Sequence, residues 1–266
     1  MYDRFNRHIN YLRISVTDKC NLRCTYCMPE EGVELLRHED ILSYEEIVEV
    51  VRYAVSQGIY KVRLTGGEPL VRRNIKELIR MIANVEGVTD LSMTTNGIML
   101  KDYAIQIAKA GLKRVNVSLD TLNPEKYKEI TRGGDVNKVT EGLNEASLAG
   151  LNPVKVNMVI SEYTNQDDKE ELKDFCEKNN YQLRFIKKMD LKTGKFSIVE
   201  GGLGGDCPRC NRLRVTSNGL IKPCLFSEHS YSIRELGIED AFRRAVQNKP
   251  KAGKSNATCT FYRLGG

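Results

Sequence analysis

The sequence lacks several features, and each absence narrows what the chain does. No run of about 18 apolar residues occurs, and the opening Met1–Arg7 is polar without an apolar signal core. Neither secretion nor membrane spanning is expected, and residence in the cytoplasm is. Histidine is scarce: His8, His38 and His229 stand alone, without ligand spacing. Aromatic residues, 7% of the chain, are scattered without the stacking pattern of an RNA-binding module, so no nucleic acid is expected as partner. There is no internal repeat and no coiled-coil segment. The net charge of +6, from 41 Lys+Arg against 35 Asp+Glu, is modest and fits an anionic small molecule or plain solubility. Cysteine is the exception, with eight residues in 266. In a reducing compartment these are not disulfides, and clustered ones are metal or redox candidates.

The length suits one large domain, or one domain with a smaller attachment. Strand-like runs at Tyr11–Thr17, Lys61–Thr65, Asp90–Thr95, Arg114–Leu119, Val154–Ile160 and Gln182–Lys187 alternate with amphipathic stretches. The latter are Tyr44–Ser56, Asn74–Ala83, Lys101–Ala110, Val136–Ala149 and Lys169–Lys178, and Gly58, Gly87, Gly111 and Gly150 sit where helix C-caps are expected. Six such alternations imply right-handed βαβ units in a parallel sheet, either an open partial barrel or a doubly wound sheet. The pattern breaks after Asp190. A Gly- and Lys-rich linker, 191–206, leads to a hairpin of Arg212–Thr216 and Leu220–Leu225 turning at Ser217-Asn218-Gly219. One helix over Ile233–Gln247 follows, and Lys249–Gly266 is polar and unpatterned. The expected division is residues 1–190 and 191–266.

Cys20, Cys24 and Cys27 follow the first strand with the spacing C-x3-C-x2-C. Three thiolates on one loop hold three irons of a cubane and leave the fourth open for a substrate, whereas electron carriers use four cysteines. The alternative is a zinc site or chance clustering, against which stands the absence of a nearby fourth ligand. Tyr26 would shield the open position. Downstream, Gly66-Gly67-Glu68-Pro69 follows the second strand, Thr94-Thr95-Asn96-Gly97 ends the third, and Ser118-Leu119-Asp120 ends the fourth. Strand carboxyl ends are where barrel active sites form. Together these residues resemble the CxxxCxxC and GGEP motifs of the radical S-adenosylmethionine (SAM) superfamily. The resemblance implies a 4Fe-4S cluster on Cys20, Cys24 and Cys27, and SAM held by Tyr26, Gly66, Gly67, Glu68, Thr95 and Ser118. It also implies cleavage of SAM to a 5′-deoxyadenosyl radical that abstracts a hydrogen atom.

A second set, Cys207, Cys210 and Cys224, has the spacing C-x2-C-x13-C, and the hairpin folds the third cysteine back towards the pair. Spacing alone also allows a zinc knuckle completed by His229 or Cys259. The runs Cys210–Gly219, Pro223–Phe226, Tyr11–Asp18, Lys61–Pro69, Lys155–Asn157 and Leu183–Ile186, with the final Gly265-Gly266, resemble the GTP 3′,8-cyclase (MoaA) family, which opens molybdenum-cofactor biosynthesis. The resemblance implies an α/β fold, a partial (β/α)6 radical SAM barrel with a small C-terminal iron–sulfur extension. It further implies a second 4Fe-4S cluster and a lyase that converts GTP to 3′,8-cyclo-7,8-dihydro-GTP after removing the ribose 3′ hydrogen. Arg13, Lys61, Arg63, Lys155 and Arg184 match the residues that hold the triphosphate and ribose. Arg212, Arg214, Gly265 and Gly266 match those beside the radical chemistry. Several Arg and Lys donors suit a triphosphate, because guanidinium binds phosphate oxygens in pairs.

The partners so implied are GTP or a related nucleotide, a flavodoxin- or ferredoxin-type electron donor, and hand-off to the cyclic pyranopterin monophosphate synthase; a homodimer is left open. The segment between Arg184 and Cys207 is several tens of residues shorter than in typical members, and Lys187-Lys188 stands where an apolar–acidic pair is usual. A paralogue acting on another nucleotide, a radical SAM peptide modifier with an auxiliary cluster, and a non-enzymatic metal-binding module remain alternatives. Cys176, on an amphipathic helix, reads as a buried small hydrophobe, and Cys259 as a free thiol.

Overall fold

The computed structural model describes residues 1–202 and 204–256. Gly265, Gly266 and Cys259 lie outside the described residues. Six parallel strands are β1 (Tyr11–Ser15), β2 (Lys61–Thr65), β3 (Asp90–Thr95), β4 (Arg114–Ser118), β5 (Lys155–Ile160) and β6 (Gln182–Lys187). They lie side by side in chain order. A doubly wound sheet reverses its order part-way; an unreversed order with one crossover hand puts all helices on one side, as in a barrel. The fold is therefore an open α/β barrel.

The covering helices are α1 (Tyr44–Ser56), α2 (Ile75–Ala83), α3 (Leu100–Lys109), α4 (Pro124–Thr131), α5 (Val136–Leu148) and α6 (Gln166–Lys178). Ser43 and Glu46 form a capping box at α1, as do Asn165 and Asp168 at α6, which satisfies the free N–H groups of the first turn. Helix α4 was not expected from the sequence. It is short and charged, and starts from the Asn123 cap and Pro124 rather than from an apolar stripe.

Strand alternation divides the barrel into two environments. Leu12, Ile14, Val62, Leu64, Leu91, Met93, Val115, Val117, Val156 and Met158 are fully buried in the main apolar core. The intervening residues carry polar and charged groups onto the other face. Strand β7 (Arg212–Val215) extends the sheet on the far side of β1, parallel to it, with Arg13 opposite Arg214 and Tyr11 opposite Arg212. Antiparallel β8 (Leu220–Lys222) and β9 (Tyr231–Ser232) follow, confirming the hairpin. The single helix expected over Ile233–Gln247 is two, α7 (Ile233–Leu236) and α8 (Ile238–Gln247). Gly237 breaks it with φ of 77°, a conformation only glycine adopts without strain.

Within the shortened segment 185–206, described except for residue 203, the chain folds back on itself. Phe185 bridges to Glu200 and Asp190 to Lys195, and Phe196 stacks on Phe226 with ring centroids 4.5 Å apart. With Leu191 and Leu225 these rings form a small second apolar cluster. No helix among the described residues is long and apolar enough to cross a membrane.

Candidate active site

Two chambers open inside the barrel. Cys20, Cys24 and Cys27 line the first, together with Gly66, Gly67, Glu68, Thr95, Ser118 and Tyr26. Cys207, Cys210 and Cys224 line the second, together with Arg13, Arg63, Arg184, Arg212 and Arg214. Thr94, Asn157, Ile186 and Met189 face both, so the chambers share a wall. Cys20 lies beyond the carboxyl end of β1, and Cys210 just before the amino end of the parallel β7. The two cysteine sets thus sit at opposite ends of the barrel, separated by roughly 16 Å of five-residue strand.

The first loop is held by backbone pairing. Gly67 N–H donates to the Thr17 carbonyl and Glu68 N–H to that of Lys19, both at 2.8 Å. A Cβ at Gly67 would lie 2.2 Å from the Lys19 oxygen, and one at Gly66 would lie 2.6 Å from the Thr17 oxygen. These glycines are needed for close approach, whatever else they bind. Gly67→Ala should cost about 1–3 kcal/mol by overpacking. A lowered Tm, with displaced cysteines and weaker iron uptake, is the expected result; unchanged Tm and iron content would contradict this role.

Glu68 is buried, and its carboxylate accepts from Thr95 Oγ1 at 2.8 Å, Asn96 N at 2.7 Å and Leu70 N at 3.0 Å. Burial raises its pKa to about 7, although these donors oppose the shift. The Thr95 hydroxyl is thereby committed to Glu68. The Thr94 hydroxyl, in the shared wall, has no partner among the described residues. The sequence points to Thr95 rather than Thr94, because adjacent threonines on a strand look alike until their faces are known. Nor does the sequence single out Asp120, whose carboxylate accepts from the Tyr26 hydroxyl and from Val159 N, each at 2.8 Å. Burial raises Asp120 to about 6 despite those donors. Arg132 supports the same loop, donating to the Arg23 and Met28 carbonyls.

The cysteines at this end fit a cluster whose cationic iron–sulfur core balances their thiolate charge. Burial first, then repulsion from Cys20, pushes Cys27 up to about 12. Cys24 is raised for the same kinds of reason, burial foremost. Thiols so placed become thiolates together only with a metal group to balance them. The Cys20 sulfur already accepts from Leu22 N at 3.5 Å and Asn96 Nδ2 at 3.9 Å.

At the other end the electrostatics reverse. Cys210 is lowered to about 7: burial raises it, but Lys249, Arg212 and Arg214 outweigh burial. The hairpin register that pairs Arg214 with Lys222 sets Cys224 opposite Arg212 when continued by two residues. The three sulfur donors, brought to one cationic chamber, therefore also suit an anionic metal cluster.

Between the ends lies a block of cations. Across β7, β1 and β2 the register aligns Arg214, Arg13 and Arg63, and below them Arg212, Tyr11 and Lys61. Arg114 on β4 was not marked from the sequence; its partner is Asp90 at 2.8 Å. Lys61 and Lys155, each first in its strand, lie on the inward-facing strand positions but line neither chamber. Burial, followed by repulsion from Arg184, Arg114 and Arg63, lowers Lys155 to about 8. Arg63, Arg184 and Arg214 are depressed by burial and then by neighbouring charges that include other arginines. The Nε atoms of Arg184 and Arg214 are buried without a hydrogen-bond partner among the described residues. Such a set, short of carboxylates, is built to receive a polyanion.

Comparison with known proteins follows the same lines. The Radical SAM superfamily model matches residues 14–176. A GTP 3′,8-cyclase of Alkaliphilus oremlandii is 41% identical over 299 positions, covering 94% of this chain and 93% of the relative. One of Thermodesulfovibrio yellowstonii is 43% identical, covering 89% and 88%. This chain belongs to the GTP 3′,8-cyclase family of radical SAM enzymes. A Clostridium botulinum member aligns end to end, 35% identical over 319 positions against 266 residues here, so at least 53 positions face no residue of this chain. Solved structures share the fold at low identity. Streptococcus suis SuiB bound to the precursor peptide SuiA gives a TM-score of 0.68 at 16% identity, over 93% of this chain and 66% of that one. anSMEcpe with bound AdoMet gives 0.65 at 16%, over 96% and 87%.

Proposed function

We propose that the protein converts GTP to 3′,8-cyclo-7,8-dihydro-GTP, using SAM and two 4Fe-4S clusters. The observation that carries this is the shared wall: a three-cysteine chamber with a GGE loop lies against an arginine-lined chamber backed by three more cysteines. A cluster on Cys20, Cys24 and Cys27 would supply, with SAM, a 5′-deoxyadenosyl radical able to take a hydrogen atom from a ribose carbon. The chain's own residues do the rest. Tyr26, Gly66, Gly67, Glu68, Thr95 and Ser118 form the SAM side, with Tyr26 fixed by Asp120 to cover it. Arg13, Arg63 and Arg184 grip the triphosphate, with Lys61 and Lys155 adding charge from the strand starts. Arg212 and Arg214 stand beside the reacting nucleotide, and Cys207, Cys210 and Cys224 would hold the second cluster, which would offer an open iron on the side of the base. Thr94, free to donate in the shared wall, is placed to orient the ribose. Phe196, Phe226 and Met189 keep water from the chamber, which matters for a radical.

The division is 1–190 for the barrel and 191–266 for the auxiliary region. A low-potential flavodoxin- or ferredoxin-type donor and hand-off to the cyclic pyranopterin monophosphate synthase belong to this reading, with Gly265 and Gly266 in the catalytic set. A second reading, a related enzyme for another nucleotide, is favoured by the 53 unmatched positions.

Equilibrium binding tests the reading: the reconstituted chain should hold GTP more tightly than ATP, CTP or UTP, and a chain with no nucleotide preference would contradict it. The pH dependence is a second expectation. With Lys155 near 8 when free and raised by a bound triphosphate, affinity should be level between about pH 7 and pH 8, the terminal phosphate itself taking up a proton at lower pH. Above that range, affinity should fall by up to about tenfold per pH unit until the bound-state pKa is passed. Lys155→Arg should flatten this profile; an unchanged slope would remove Lys155 from the grip.

A further inference from the structure

Lys249 follows the end of α8 in a stretch that the sequence marks only as polar. Its side chain is 1% exposed. The ammonium donates to the Arg212 carbonyl at 2.8 Å and the Pro223 carbonyl at 2.6 Å. Arg212 stands two residues after Cys210, and Pro223 immediately precedes Cys224. One buried cation therefore ties together the two arms that carry these cysteines.

Its surroundings make that location costly. Among the described residues the ammonium has no carboxylate partner, and Arg7 and Arg214 repel it, while the Cys210 and Cys224 sulfurs attract it. Arg7 itself is buried, already paired with Asp3 at 2.6 Å, and donates to the Cys207 carbonyl and to those of Pro250 and Lys251, which leaves the Asp3 carboxylate committed to Arg7 rather than to Lys249. A buried cation among cations is stable only beside an anion. A cubane carried by thiolates is such an anion, and it gains a further negative charge when reduced. The cysteines of the first chamber have the opposite company, with the Glu68 and Asp120 carboxylates close by.

We propose that Lys249 is the built-in counter-ion of the second cluster, holding its two ligand arms and raising its reduction potential relative to the first. The inference rests on the reading that Cys207, Cys210 and Cys224 hold a cluster. A nearby positive charge stabilises the more negative, reduced form, so its removal must shift the potential downward. Lys249 is a positioning residue, since it touches the ligand arms rather than the substrate.

The test uses the full chain, reconstituted anaerobically with iron and sulfide. Iron content is measured first, then each cluster's midpoint potential by electron paramagnetic resonance during redox titration. A Cys24→Ala chain identifies the second cluster's signal. Lys249→Met should keep about eight irons and lower the second potential, leaving the first in place; Lys249→Arg should restore it. Loss of the second cluster in Lys249→Met but not in Lys249→Arg would equally support the role of charge. An unshifted potential in Lys249→Met, or equal loss of iron from both variants, would overturn the proposal. A parent chain binding only about four irons, or zinc at the second set, would instead remove the cluster reading itself.

Discussion

Cys27→Ala is expected to abolish SAM cleavage, with 5′-deoxyadenosine falling to the background of the iron-free protein. Cys27 closes the tight turn in which its own N–H and that of Met28 donate to the Cys24 carbonyl, at 2.9 and 3.0 Å. Its backbone is therefore fixed in place, and among the described residues no thiol beyond Cys20 and Cys24 lines this chamber to replace it. The nearby polar groups are spoken for: Glu68 by three donors, and Asp120 by Tyr26 and Val159. With two thiolates left, the site has too few ligands to retain a cubane with one open iron. The measurement is chromatography of 5′-deoxyadenosine after dithionite reduction, with iron counted in parallel. Cleavage at more than a few per cent of the parent rate would mean that the first site is not formed by these three cysteines.

Cys224→Ala should separate the two chambers. The first cysteine set, the Thr17–Gly67 and Lys19–Glu68 pairing that holds its loop, and the Tyr26–Asp120 contact all lie at the far end of the barrel and do not involve Cys224. SAM cleavage should persist at a reduced rate, while cyclic product is lost. The loss follows because the arginine chamber would still hold phosphates but no longer receive the base. Removing one part of a positioned pair commonly costs a factor of about a hundred or more in rate. Equal loss of cleavage and product would show that the two cysteine sets do not have separate roles.

Much of this arrangement is legible in the sequence, for identifiable reasons. The strand starts at Lys61, Asp90 and Gln182 are found because each opens a run of alternating apolar and polar residues. That same alternation delivers Arg13, Arg63, Arg212 and Arg214 to the interior. The cysteine spacings mark both ends of the barrel. What stays hidden depends on contacts between distant residues. Arg114 is one cation among 41 until Asp90 is seen beside it, 24 positions away. Asp120 looks like a strand-end residue until Tyr26 is placed across from it. Lys249 carries no local pattern, because its partners belong to β7 and the turn before Cys224. The shortened segment 185–206 also gives no warning in composition that Phe196 will reach Phe226 in the lining of the second chamber.

The central claim is that a radical made at the Cys20–Cys27 end works on a guanine nucleotide held towards the Cys207–Cys224 end. It is tested most directly by incubating the reduced, reconstituted chain with SAM and each nucleoside triphosphate in turn, and following products by mass spectrometry. The account predicts that GTP alone is converted to an isomeric cyclic product, with 5′-deoxyadenosine formed alongside. 5′-Deoxyadenosine formed while GTP stays unchanged would contradict it.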